Sequence, residues 1–322
     1  MGGGNNLGAI GSGGAFGGFD AADFDAFAKK KWSSNAYTLE RRQAKDRLLA
    51  LVRAVQDELE EELSTLELGA TDEAPSVANG RKVQAQWAFF TRAAPERAAL
   101  KTLLNRTDLA SGASLFDIAV HHQHACLQLR LDEDGLAIGM EIAGKATVDR
   151  DNATKKLEHK WARDKLQALA KELPNGARVG LGADAVEAID LDAEAVERWA
   201  KALPKSGDRV FAEAVLGRDE EVLASDALIG TAVECVAGFL PMLEFLAWSR
   251  DNDHTQVKDA IKEQKKVAEE RAATLEPGSR VTILAGLFAG RGGYVAEVQK
   301  GKAKVMVGPV SVTVDVKDLK GT

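Results

Sequence analysis

Residues 256–275, QVKDAIKEQKKVAEERAATL, limit how this chain can fold more than any other stretch. They are good helix formers with few apolar side chains. A helix that is polar all round has no face to bury, so it reads as a solvated linker rather than part of a core. Glu276-Pro277-Gly278 ends it and marks a boundary. With 322 residues the chain has room for about two domains. The division expected is a flexible glycine-rich tail over 1–35, an α+β domain over 36–250, a helical linker over 251–275 and a small β module over 276–322.

Composition removes several classes. An apolar fraction of 45% excludes a wholly disordered or fibrous chain. The net charge of −7 excludes a basic nucleic-acid coat protein but not a local basic module. Two cysteines, Cys126 and Cys235, are too few for a disulfide framework or a cysteine-built zinc site. The start lacks the basic region and continuous apolar run of a secretory signal. Ala227–Trp248 is long and apolar enough to span a bilayer, yet it holds Glu234, Glu244 and Pro241. A carboxylate near the membrane centre costs ~2.5–3.5 kcal/mol. A buried core helix, or two short ones broken before Pro241, is the reading adopted. These features point to the cytoplasm, with no membrane partner.

Nine glycines in residues 1–18 argue for a tail, since such a segment loses much backbone entropy on ordering. Phe16, Phe19, Phe24 and Phe27 then alternate with Asp20, Asp23 and Asp25, and are read as a weakly ordered extension of it. Leu48, Val52, Val55, Leu59, Leu63 and Leu66 step by three or four, which predicts one long helix from Thr38 to about Leu66. Residues 83–91 read as a strand. Cys126, Gln128 and Arg130 alternate with Leu127, Leu129 and Leu131 ahead of an Asp-Glu-Asp-Gly turn, which predicts a hairpin over 124–143. Asp149 or Asp151 is expected to cap a helix running to Leu173, and Asp192 another over 193–203. Short strands fit around Val179 and over 209–216. Strands and helices mix without a βαβ beat, so the class expected is α+β, with a mixed helix and antiparallel-sheet domain.

The last segment is all-β in pattern. Val281–Ile283, Tyr294–Val298, Ala303–Val307 and Ser311–Val316 alternate between glycine-rich turns, and Lys300-Gly301-Lys302 makes a hairpin turn. Strands this short must close to bury a core, which predicts a small barrel. Gly286, Phe288, Gly290, Gly293 and Val295 follow the order G-x-F-x-G-x-x-G-x-V. Together with Gly278, Val281, Ile283 and Val298, this run resembles the KOW motif. That motif marks SH3-like barrels in ribosomal proteins and in the C-terminal domain of NusG-type transcription factors. The resemblance spans residues 276–320. It implies an SH3-like barrel that contacts RNA, DNA, or a ribosomal or transcription protein, with Gly293 where a Cβ would clash.

Charge agrees with a local binding role. Residues 276–322 carry seven basic and four acidic side chains, net +3, which leaves −10 for the residues before them. Arg291, Lys300, Lys302 and Lys304 are the candidates for phosphate contact, and Tyr294 for base stacking. The rest of the chain offers one cluster with ligand chemistry, His121-His122-Gln123-His124. On a strand, His122 and His124 would share a face and could hold zinc. Ordinary polar residues satisfied locally are the reading adopted, so no metal or cofactor is expected. The function expected is a non-catalytic binding or adaptor protein. The alternatives are a metal-dependent hydrolase using the histidine cluster and a purely structural interaction protein.

Overall fold

A computed structural model describes residues 15–76, 79–100, 119–256, 276–284, 288–299 and 301–321. The chain divides into two compact units between Thr255 and Gln256. The class is α+β, as the sequence pattern implied. From 257 to 275 the expected linker lies outside the described residues.

The larger unit is built on a seven-stranded antiparallel sheet. Its strands are β1 Leu66–Ala70, β2 Ala85–Arg92, β3 Cys126–Asp132, β4 Gly135–Ile142, β5 Arg178–Leu181, β6 Asp184–Glu187 and β7 Val210–Gly217. Their order is β1-β2-β3-β4-β7-β5-β6. The hairpin sets the inner face. Leu127 lies opposite Met140, Leu129 opposite Ile138 and Leu131 opposite Leu136, all buried. Period-two alternation therefore gives the sheet one continuous apolar side. Two helices cover that side, α2 (Thr38–Glu58) and α6 (Leu228–Leu246). Between them in sequence come α3 (Thr147–Leu157), α4 (Lys160–Lys171) and α5 (Ala193–Ala202). The short α1 (Ala21–Asp25) packs on α2. Although α6 is long and apolar enough to cross a membrane, its buried side, with Ala232, Val236, Phe239 and Leu243, packs on α2, β3, β4 and β7. The helix continues through Pro241, which lies on its exposed side.

Four expectations need correction. Residues 15–35 are not a tail: Phe16, Phe19, Phe24 and Phe27 are all buried in the main core. Of the alternating acids, Asp20 and Asp25 face outward, Asp20 capping α1, while Asp23 is buried and shares Arg47 with Asp20. Burying four phenylalanines outweighs the cost of ordering the chain around them. Residues 1–14 lie outside the described residues. Next, the long helix is interrupted: α2 ends at Glu58, one further helical turn runs over Glu60–Leu63, and β1 begins at Leu66. The break is at Leu59, whose backbone at φ −117° and ψ 37° leaves the helical conformation. Third, the helix expected up to Leu173 is two helices, broken at His159, whose backbone is extended.

Last, Asp149 is not a cap. It is fully buried and pairs with Arg92, while its carboxylate accepts from the N–H groups of Ala125 (2.8 Å) and Trp248 (2.9 Å). The same helix buries three further polar side chains, Arg150, Asn152 and Lys156. Arg150 donates to the carbonyls of Leu203, Ser206 and Asp208. The Asn152 amide donates to Leu246 and Ala247 and accepts from His254 N. Lys156 Nζ donates to the Phe245 carbonyl (2.8 Å) and to Asn252 Oδ1 (2.5 Å).

The smaller unit is one five-stranded antiparallel sheet. It comprises β8 Arg280–Ile283, β9 Gly292–Gln299, β10 Lys302–Val307, β11 Val310–Asp315 and β12 Leu319–Gly321, in the order β11-β10-β9-β8-β12. Its own core is Val281, Ile283, Val295, Ala303, Val305, Val316 and Leu319, with Phe288 packed against it. Gly292 and Gly293 open β9. Among the described residues no pairing joins β11 to β12, so a closed barrel is not seen.

Phe24 tests the correction at the N-terminus. Phe24→Ala is expected to destabilise the larger unit by about 3–5 kcal/mol, as truncation of a buried aromatic does. Urea unfolding followed by tryptophan fluorescence measures it; an unchanged midpoint would restore the tail reading.

Candidate functional site

The outer face of the small sheet gathers most of the residues singled out by the sequence. Register builds it in rows. Arg280, Tyr294, Met306 and Ser311 lie across from one another on β8, β9, β10 and β11. A second row is Glu297, Lys304 and Thr313, and a third Gln299, Lys302 and Asp315. Tyr294 is 55% exposed at the centre of the first row. Lys302 and Lys304 are exposed beside it, and Arg291 is exposed just before β9 begins. Gly286 and Lys300 lie outside the described residues.

The charges on this face are mixed. Lys304 stands directly opposite Glu297, and Lys302 opposite Asp315. Such cross-strand pairs offset one another at the surface. Among the described side chains of this unit, Arg280 and Arg291 are the cations not set opposite an acid. Arg280 was not singled out in the sequence, because its place beside Tyr294 depends on the β8–β9 register. Pattern alone does not give that register.

Two glycines shape the face. Gly290 turns the chain with φ +80°, which L side chains rarely adopt. Gly293 is needed for space: a Cβ there would sit 2.6 Å from the Met306 carbonyl oxygen and from Val305 Cγ1. This close approach lies beside the β-bulge at Lys304/Val305, where the sheet twists more strongly.

The histidines form no comparable site. Val120–Gln123 is a helical turn, and β3 begins only at Cys126. The strand alternation that would set His122 and His124 on one face is therefore absent, and the sequence expectation of a shared face is corrected. Ala125 fixes this break, since Asp149 takes its N–H and the Thr91 hydroxyl donates to its carbonyl. His122 is exposed, whereas His121 and His124 are buried. The His121 ring lies 4.9 Å from Phe89 and 5.8 Å from Trp87. Burial holds it neutral, lowering its pKa from 6.5 to about 3. Burial, reinforced by the Arg92 guanidinium, lowers that of His124 to about 4. Cys126 is fully buried, and burial raises its thiol pKa well above the ordinary range. Burial pushes Cys235 up to about 11. Neither thiol is poised as a nucleophile. Among the described residues no three His, Cys, Asp or Glu side chains are grouped to hold a metal ion.

The chain matches no protein-family model and no curated protein.

The buried histidines predict a pH dependence with a definite sign. Their folded pKa values lie below the unfolded 6.5, so the unfolded chain binds more protons. Their contribution is complete above 6.5 and is lost as pH falls toward about 4 and then about 3. Thermal melts from pH 7 down to about 4 should show the larger unit losing stability. His121→Phe, which suits the aromatic surroundings, should flatten the slope. An unaltered slope in that variant would contradict the assignment.

Proposed function

We propose that the protein is a non-catalytic binding protein whose C-terminal unit contacts single-stranded RNA. The observation that carries this reading is Tyr294, more than half exposed on a sheet face with Arg280 directly across from it. A large aromatic ring left in water serves no core. Set beside guanidinium and ammonium groups, it makes a platform on which a base stacks while phosphates meet the cations. The resemblance of residues 276–320 to the KOW motif supports the same role, and an SH3-like barrel is part of the proposal. So does the net +3 of this segment on an otherwise acidic chain.

The charge mosaic fixes the strength expected. Glu297 and Asp315 offset two lysines, so only a few phosphates are neutralised. About two to four phosphate contacts on a single strand give a log–log salt slope of roughly −1.4 to −2.8. Fluorescence anisotropy of a labelled RNA strand with the full chain should give micromolar affinity at low salt. Tyr294→Ala and the pair Arg280→Glu, Arg291→Glu should each weaken it, the second variant also reducing the slope. Absence of saturable binding at low salt would remove the RNA reading and leave a protein partner.

A further inference from the structure

We propose a second ligand site, in the larger unit, where Trp161 stacks the base of a nucleotide and the Lys156 ammonium attracts its phosphate. This site is independent of the small sheet, so the two proposals stand or fall separately.

Trp161 opens α4 and is 53% exposed, while Trp199 and Trp248 are buried and Trp32 and Trp87 half-buried. A single exposed apolar side chain is ordinary; what marks Trp161 is the cluster of rings around it. Its ring is held in place rather than loose. Phe245 meets it edge-on at 6.2 Å, His159 lies nearly parallel at 6.4 Å, and His254 is 6.3 Å away. Both imidazoles are exposed and offer polar nitrogens at the rim. The result is a fixed aromatic platform edged by hydrogen-bonding groups.

Charge identifies the ligand class. Lys156 lies beneath this cluster, its Nζ 4.0 Å over the Phe245 ring and 5.8 Å from the Trp161 ring. The hydrogen bonds it makes go to a carbonyl and an amide oxygen, not to a carboxylate. Of the neighbouring acids, Glu158 and Asp164 are engaged by Lys155 and Lys160, and the Asp253 carboxylate accepts from the Thr255 N–H and hydroxyl. An uncompensated cation under an exposed indole suits a planar ring that carries negative charge. A nucleotide has both, whether free or within a single strand; stacking supplies most of the affinity and the cation selects for phosphate.

The test uses the full chain, with adenosine 5′-monophosphate, adenosine and a short single-stranded oligoadenylate as probes. The monophosphate should quench tryptophan fluorescence saturably, and Trp161→Phe should abolish the change. Trp161→Ala should weaken binding about five- to 150-fold, the range a base–aromatic stack carries. Its melting temperature should be unchanged, because the side chain is exposed. Lys156→Gln should weaken the monophosphate but not adenosine, and adenosine binding in that variant shows that the platform remains folded. The oligoadenylate arm is run in the Tyr294→Ala background. Binding there as tight as the monophosphate's identifies a strand as the source, and binding of the monophosphate alone identifies a free nucleotide. No saturable quenching by any probe, or quenching undiminished in Trp161→Phe, would overturn the proposal. Strand binding lost with Tyr294→Ala but indifferent to Trp161 would overturn it and leave the small-sheet reading intact.

Discussion

Asp149, Arg150, Asn152 and Lys156 are all buried on the eleven-residue α3, and the larger unit is organised around satisfying them. A buried charge or amide costs several kcal/mol when unpaired, so each must find partners with good geometry. They find them in loops. Arg150 gathers carbonyls from 203–208, and Asn152 and Lys156 gather the end of α6 and the chain beyond it. Asp149 holds the start of β3 and the Trp248 backbone. One helix thus fixes three segments that have little apolar surface of their own. Arg41 does the same for the N-terminal region, donating to the carbonyls of Lys31, Ser34 and Glu73.

That arrangement also places the proposed nucleotide platform. The residue that clamps the end of α6, Lys156, is the cation under Trp161, and Asn152 positions His254 through its backbone N–H. The small sheet follows a different logic. Its core is a few aliphatic side chains, and its outer face is left to charged and aromatic residues whose neighbours are set by register. In the larger unit buried polar pairing places the loops around an apolar core, and in the smaller one strand alternation around glycines sets the face.

Alternation was the legible part of the sequence. The β3–β4 hairpin, the Asp192 cap, β7 and four of the five small strands follow from period, turn residues and capping chemistry. The α3 region was not legible. A helix whose inward face is Asp, Arg, Asn and Lys has almost no amphipathic signal, so Asp149 reads as a cap. Its true partners, Arg92 and the Ala125 and Trp248 amides, are 57, 24 and 99 residues away. The N-terminal phenylalanines failed for a related reason, since glycine and aspartate hide a core contribution that only tertiary packing supplies. At the candidate site Tyr294 and Lys304 were visible as residue types. Glu297 and Arg280 gain their meaning only from cross-strand pairing.

The Arg92–Asp149 pair is where the dependence on buried polar pairing is most exposed. Among the described residues Nε and Nη1 of Arg92 have no hydrogen-bond partner; Asp149 is the acid paired with that guanidinium, which also lies 5.4 Å from the Trp248 ring. The most direct measurement is a double-mutant cycle in urea unfolding of the full chain. Asp149→Ala should cost the larger unit about 3–5 kcal/mol, because it strands a buried charge. Adding Arg92→Met should recover a substantial part of that loss, since the charge left behind is then gone. A loss below about 1 kcal/mol for Asp149→Ala, or strict additivity of the two changes, would contradict the account.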